Sequence, residues 1–502
     1  MLNQSFSSKT FQEIFDKENR KGKNVEKRFA NDFNESLQTL DNIKTLSQLI
    51  RNTLNKNARK VLYFERKELK NTRNSQIKTV LEETANRIVN KKEPIELQFG
   101  DIFGKQTYKL EESVDLFFLG KKIYENIHKT YNVKPSNRHS VLSELINHLE
   151  DRFPKFVIRT DIKNFYESVP QKKLLDKIND DHLLSILTKK FINHAFESYN
   201  SLTNQTDKLI AKGLPRGVGF SAYLSELYMR KIDNSIKNLS DCVYYARYVD
   251  DIIAIFIPKH TDVDSTYLSN YRIQIEAIIN EEELELNTSK TMEYNLLKNI
   301  SDIRSHTINF QGITNYISNP KYITFLGYNI GSVATYKQNG EVRLENLSIE
   351  LSEQKIKKYK NRIKLAFLHF NQKKSHNRKV AFKLLNARID YLTQNTKLRN
   401  NKDKVFVGIY YSNCFLNNLK SLEIIQNSLD FYINRAGLSL SEKALLKSYD
   451  FKDGFNTKKI KLFPIQNKKY KNHNCKRSDV INRTNKGIVQ YGLSEINSIW
   501  KK

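Results

Sequence analysis

Cysteine is nearly missing from this chain: three residues in 502, Cys242, Cys414 and Cys475, with no paired spacing among them. A disulfide framework is thereby excluded, which fits a reducing, cytoplasmic compartment. His473-Asn474-Cys475 supplies the residues of half a zinc site, but no second half accompanies it. Proline (8) and glycine (16) are scarce, so no Pro-rich linker divides the chain. No apolar run approaches the roughly 18 residues of a spanning helix, and the N-terminus has no signal-peptide core, so no membrane association is expected. Acidic residues are also in deficit, 55 against 84 Lys and Arg, for a formal net charge of +29. Such an excess favours a polyanionic partner, with nucleic acid first. The length allows two or three compact units.

Against this background the stretch Cys242 to Phe256 stands out. Two runs rich in Tyr, Val and Ile flank Tyr248-Val249-Asp250-Asp251, which reads as a hairpin with its acids at the turn. Taken alone, it is also an ordinary solvent-facing hairpin tip. Upstream, Lys155 to Ile162 reads as a second apolar strand ending in Asp161. Its period of two puts Val157, Arg159 and Asp161 on one face, so Arg159 is expected near the acids. Adjacent carboxylates between apolar strands need a counterion, and a divalent cation such as Mg²⁺ supplies one. A strand-end acid beside an Asp-Asp hairpin suits two-metal phosphoryl transfer, with two ions roughly 3.5–4 Å apart.

The order of five motifs extends the pattern: Asp161 at a strand end, Gly213-Leu-Pro-Arg-Gly-Val-Gly-Phe-Ser221, Tyr248-Val-Asp-Asp251, Leu286-Asn-Thr-Ser-Lys290 and Phe325-Leu-Gly-Tyr328. This order resembles the palm of reverse transcriptases over roughly residues 130 to 330. The resemblance implies an α+β, right-hand polymerase fold with fingers, an antiparallel-sheet palm, a helical thumb and basic helical flanks. It implies RNA-directed DNA polymerase activity with two Mg²⁺ ions, or Mn²⁺ in their place, held by Asp161, the Ile162 carbonyl, Asp250 and Asp251. Asp250 is expected to be the firmer ligand.

Other roles come from the same resemblance. Tyr166 corresponds to the aromatic under the sugar that excludes a 2′-hydroxyl, although a core Tyr looks the same in sequence. Arg216, beside Gly217 in the nucleotide-binding turn, replaces the Gln found in many relatives. Lys290 resembles the lysine that protonates departing pyrophosphate, with a pKa lowered modestly; a surface lysine is the plainer alternative. Lys134 and Arg138 are candidates for holding the triphosphate, or are ordinary surface cations. Phe325, Leu326, Gly327 and Tyr328 look like the primer grip.

The flanks read as helices. Phe11, Ile14 and Phe15 form one apolar stripe, and Leu37, Leu40, Ile43, Leu46 and Ile50 form another. The basic segment Arg51 to Arg73 is either a solvated face or an RNA-backbone contact. From about residue 345 the chain turns helical and basic, with Ile363, Ala366, Phe367 and Phe370 on one face and lysines from Lys355 onward on others, as a thumb that clamps a duplex requires. Val405 to Asn413 is an aromatic insertion. Lys458 to Arg483 is a cationic stretch suited to stacking on single-stranded RNA, or a floppy tail.

The expected domains are 1–130 helical, 131–335 fingers and palm, 336–440 thumb and 441–502 basic. Within reverse transcriptases, Arg159 to Ser168 and Tyr245 to Asp251 are similar to retron and bacterial defence-associated enzymes. Asn3 to Phe11 and Phe15 to Gly22 resemble the smaller polymerase of the type 3 two-polymerase antiphage systems. Expected partners are therefore a non-coding template RNA, a DNA primer and product, dNTPs, a second reverse transcriptase or another copy of this chain, and no membrane. A retron or group II intron-type enzyme, or an RNA-binding scaffold without catalysis, is the alternative.

Overall fold

The computed structural model describes residues 2–90, 95–102, 105–151, 153–260, 263–296, 322–336, 342–398, 405–463, 468–469 and 489–500. The chain forms two compact units, each built from separated segments: 1–135, 162–236 and 275–286 in the first, and 136–161, 237–274 and 287–502 in the second. Among the described residues no helix is long and apolar enough to cross a membrane.

The first unit is mainly helical. Its N-terminal helices are α1 (Ser8–Arg20), α2 (Val25–Arg28), α3 (Asn34–Asn52) and α4 (Lys56–Val89). The expected stripe of α1 is buried, with Phe11 packed 5.3 Å from Phe118 between ring centroids. On α3 the buried positions are Ser36, Thr39, Ile43, Leu46 and Ile50, so Leu37 and Leu40 fall at the edge of the packed face.

A strand pair interrupts the region expected to be helical. Strands β1 (Leu97–Ile102) and β2 (Lys105–Leu110) form an antiparallel hairpin before helix α5 (Val114–Tyr131). Its own apolar alternation is weak. Contacts far away in sequence hold it: the Leu97 amide donates to Ser198 Oγ at 2.8 Å, the Tyr108 amide donates to the Arg216 carbonyl at 2.7 Å, and Tyr108 packs edge-on against Tyr199.

The second unit opens with helix α6 (Arg138–Glu150) and carries two antiparallel sheets. The larger runs in the order β4 (Cys242–Tyr248), β5 (Asp251–Phe256), β3 (Lys155–Asp161), β6 (Met292–Leu296). Isoleucines 252, 253 and 255 are buried along β5, so both faces of this central strand are covered. The smaller sheet holds β7 (Ile323–Phe325), β8 (Tyr328–Tyr336) and β9 (Val342–Leu351).

Strand β9 corrects the expected onset of helix near residue 345. Leu347, Ile349 and Leu351 alternate into the core, and the helix begins only after Ser352, whose hydroxyl caps the Lys355 amide. The long helix Glu353–Thr393, broken at Asn377, buries Ile363, Ala366, Phe367 and Phe370 on the expected face. Lys355 departs from the expected cationic face and turns inward instead. The aromatic insertion forms the short strand Phe406–Gly408, paired with Asn395–Lys397. Most of the Lys458 to Arg483 stretch, with His473 and Cys475, lies outside the described residues.

Candidate active site

Strand β3 pairs with β5 in a register that sets Asp161 directly opposite Asp251. β5 in turn pairs with β4 so that Tyr248 faces Asp251 across a two-residue turn, Val249-Asp250. Val249 has φ 62, in a left-handed region that strongly disfavours a β-branched residue and where such hairpins ordinarily place glycine. Strain of this kind costs on the order of 1–3 kcal/mol and persists only where neighbours enforce it. Arg247, 4% exposed, does so by donating from Nη1 to the Val249 carbonyl at 2.8 Å. The hairpin was legible in the sequence; the role of Arg247 was not.

The electrostatics of the three acids are interlocked. Asp161 is 4% exposed; its Oδ2 accepts from Lys290 Nζ at 2.5 Å, while its Oδ1 is buried with no hydrogen-bond partner. Asp251 is pushed above the usual carboxylate range by burial first and then by the charges of Asp250 and Asp161, against the opposing pull of Arg159 and Lys290. Arg159 Nη2 lies 3.6 Å from Asp251 Oδ1, where the period-two reading of β3 put it. Lys290 is raised, chiefly by its hydrogen bond to Asp161, with the charges of all three acids adding. The expected modest lowering is thus reversed, because the ammonium gains more from carboxylate neighbours than it loses on partial burial.

These residues fit a divalent cation. The donor set is hard oxygen, an orphaned carboxylate oxygen is buried at its centre, and mutual repulsion raises the affinity of Asp251 for positive charge. Among the described residues no three ligating side chains are already gathered as a cage. The Lys290 ammonium holds the place of positive charge at Asp161.

The first unit contains the other proposed nucleotide contacts. Ile162, buried, follows Asp161 and bridges to Leu286. Tyr166 is partly exposed on a short helical turn, with the Arg216 guanidinium 5.4 Å over its ring and its carbonyl accepting from the Leu214 amide at 2.7 Å. Arg216 also pairs with Glu167 at 2.9 Å. Gly217 has φ +100, and a Cβ there would stand 2.7 Å from the Tyr108 carbonyl, so the β1–β2 hairpin packs on this turn in a way only glycine allows. Nothing in the local sequence of the hairpin predicts this contact with the Arg216–Gly217 turn. Lys134 is exposed in the loop after α5.

Residues 118–330 match the model of the family described as reverse transcriptase (RNA-dependent DNA polymerase). The match covers less than half of the chain. Members of that family carry out nucleotidyl transfer on a right-hand polymerase fold, which the helices and antiparallel sheets of this chain suit. Among solved structures, the chain is similar to telomerase from Candida albicans in complex with a TWJ fragment of telomeric RNA. There the identity is 13% over 72% of this chain and 62% of that one, with a TM-score of 0.28. It is similar also to apo telomerase from Candida tropicalis truncated from its C-terminal domain, at 12% identity over 50% and 55% of the two chains, with a TM-score of 0.29. The chain thus spans less than two thirds of either telomerase. No match was found among curated proteins.

The last of the five sequence motifs forms the β7–β8 turn. Leu326 (φ 44) and Gly327 (φ 81) both adopt left-handed backbone. Four contacts hold this turn: Arg138 donates to the Leu326 carbonyl, the Ser352 amide donates to the Gly327 carbonyl at 3.1 Å, and the Arg138 guanidinium and the Lys355 ammonium lie 5.1 and 4.6 Å from the Tyr328 ring centroid. The structure therefore places Arg138, offered from the sequence as a triphosphate contact, against the proposed primer grip. Burial, with repulsion from Arg138, lowers the Lys355 pKa to about 7.

Proposed function

We propose that this chain is the RNA-directed DNA polymerase of an antiphage defence system, copying a short segment of a bound non-coding RNA into DNA. The observation that carries the catalytic part is the in-register pair Asp161 and Asp251, with Asp250 at the adjoining strained turn and one Asp161 oxygen buried without a partner.

On this reading Asp161, Asp250, Asp251 and the Ile162 carbonyl hold two Mg²⁺ ions. When bound, these ions supply the charge that activates a primer hydroxyl and neutralises departing pyrophosphate. Arg247 fixes the turn that presents Asp250. Lys290 carries a proton at Nζ, kept there by Asp161, and delivers it to the leaving pyrophosphate as general acid. Tyr166, backed by Arg216, closes the space a ribose 2′-hydroxyl would need. The Leu326–Gly327 turn, fixed by Arg138, Ser352 and Lys355, orients the primer terminus.

The defence assignment rests on the sequence likeness of Asn3 to Phe11 and Phe15 to Gly22 to the smaller polymerase of two-polymerase systems. Both segments are integrated into the first unit. Lys122 Nζ donates to the Asn3 carbonyl at 2.9 Å, Asn126 donates to the Gln4 carbonyl at 3.1 Å, and Glu18 gathers Lys21, Lys23 and Lys121. A template RNA and a second reverse transcriptase are the corresponding partners. Purification from a host carrying the surrounding genes, followed by sequencing of the bound RNA, tests this. A single RNA species that restores templated synthesis to nuclease-treated enzyme supports the reading, and equal synthesis on any primed RNA contradicts it.

A further inference from the structure

Helices α3 and α4 pair as an antiparallel hairpin, and the outer surface of its α4 start buries no side chain against the described residues of the first unit. All the buried side chains of α4 lie at Ile77 or beyond; its first five turns bury none. Thr39 Oγ1 donates to Gln76 Oε1 at 2.9 Å, and Leu62, Arg66 and Leu69 are half-covered on one flank. The opposite flank is ordered in charge. At 3.6 residues per turn Lys56, Lys60, Lys67 and Lys70 fall within about 80° of one another, a stripe roughly 21 Å long. Glu65 and Glu68 project to other faces. All four lysines are exposed, and none makes an ion pair with a described residue. Like charges at i, i+3 and i, i+4 destabilise a helix, so the stripe works against the element that carries it.

Aromatic rings stand within and beside the stripe. Tyr63 is 44% exposed, with the Arg66 guanidinium 4.9 Å over one side of its ring, and Phe64 is 66% exposed. Exposed rings beside a line of unpaired ammonium groups match single-stranded RNA, whose phosphates pair with the cations while its bases stack on the rings. The hairpin lies wholly outside the matched family residues 118–330, so the family's shared chemistry does not account for it.

We propose that the outer face of the α3–α4 hairpin is a docking surface for a single-stranded segment of RNA, held by the Lys56–Lys70 stripe and by stacking on Tyr63 and Phe64. The proposal rests on the reading that the chain works with RNA, but not on catalysis.

The test uses the full chain carrying Asp250→Asn, so that binding is measured without synthesis. Anisotropy with a labelled unstructured RNA and with an RNA duplex of equal length is followed over a salt series. The triple variant Lys60→Glu, Lys67→Glu, Lys70→Glu, or the gentler triple Gln variant if the first melts early, should flatten the plot of log affinity against log salt by about 2 for the single strand. Tyr63→Ala with Phe64→Ala should weaken single-strand binding about five- to a hundredfold for each base stacked, leaving that slope unchanged. In the Asp250 parent, incorporation on a short primer-template should be unaltered by these changes. Unaltered RNA binding, or equal losses for the duplex, would overturn the proposal. A change in sedimenting mass without a change in RNA affinity would overturn it too, assigning the face to another copy of the chain.

Discussion

Lys290 Nζ donates to Asp161 Oδ2 at 2.5 Å while Asp161 Oδ1 stays buried and unpartnered. A carboxylate so enclosed has satisfied one oxygen with a cation and kept the other for a second. The same contact holds Lys290 protonated, since its pKa is raised by Asp161 first and by Asp250 and Asp251 in addition. Deprotonation of Lys290 therefore lies above the ordinary lysine range, and this proposed general acid stays charged throughout neutral pH.

Lys290→Ala should then lower kcat by about 10²- to 10⁴-fold, with a far smaller change in the KM for dNTP. Single-turnover incorporation measures both. An unchanged kcat would return Lys290 to an ordinary surface lysine.

Val249→Gly removes backbone strain of about 1–3 kcal/mol from the turn that carries Asp250. The variant should melt at the parental temperature or higher while incorporating nucleotides more slowly, because the turn is no longer confined. Thermal melts with parallel primer-extension rates decide this. Equal activity at equal stability would mean that the φ of 62 has no bearing on the site.

Tyr166→Ala should raise ribonucleotide incorporation relative to deoxyribonucleotide at every salt concentration, because exclusion by a ring is steric. Competition between rNTP and dNTP on one primer-template measures the ratio, and an unchanged ratio would make Tyr166 a packing residue held under Arg216.

The palm was legible because its signals are local: alternating apolar strands, acids at a strand end and a turn, and lysines at fixed distances from them. Arg247 and Lys355 were not legible, since their work depends on which carbonyl or ring each reaches after folding. The β1–β2 hairpin escaped for the same reason, being held through Ser198, Tyr199 and Arg216 rather than by its own alternation. Chain position marks Arg138 as a cation near the expected fingers, but position in sequence does not show its bond to the Leu326 carbonyl.

Glu18 gives a pH prediction. Burial would raise its pKa, but hydrogen bonds and charge from Lys23, Lys121 and Lys21 prevail and bring it from 4.5 to about 2. A carboxylate depressed on folding stabilises the fold above its unfolded pKa, and this contribution is lost as pH falls from about 4.5 towards 2. At about 1.4 kcal/mol per pKa unit the contribution is up to about 3 kcal/mol. Glu18→Gln should cost stability at pH 7 and flatten the acid limb of a melting-temperature profile. An acid limb as steep as the parent's would show that other carboxylates govern it.

The central claim, that Asp161, Asp250 and Asp251 form the metal-holding centre of an RNA-directed DNA polymerase, is tested most directly by primer extension. Parent and Asp250→Asn proteins are compared on a primed RNA template, or on the copurified RNA, with dNTPs and Mg²⁺. The amide keeps the size of the side chain and loses the charge that retains the ion. The parent should extend in Mg²⁺ and stop with EDTA, while Asp250→Asn melts normally, binds RNA as tightly and gives no product above background. Extension by Asp250→Asn at the parental rate would contradict the account.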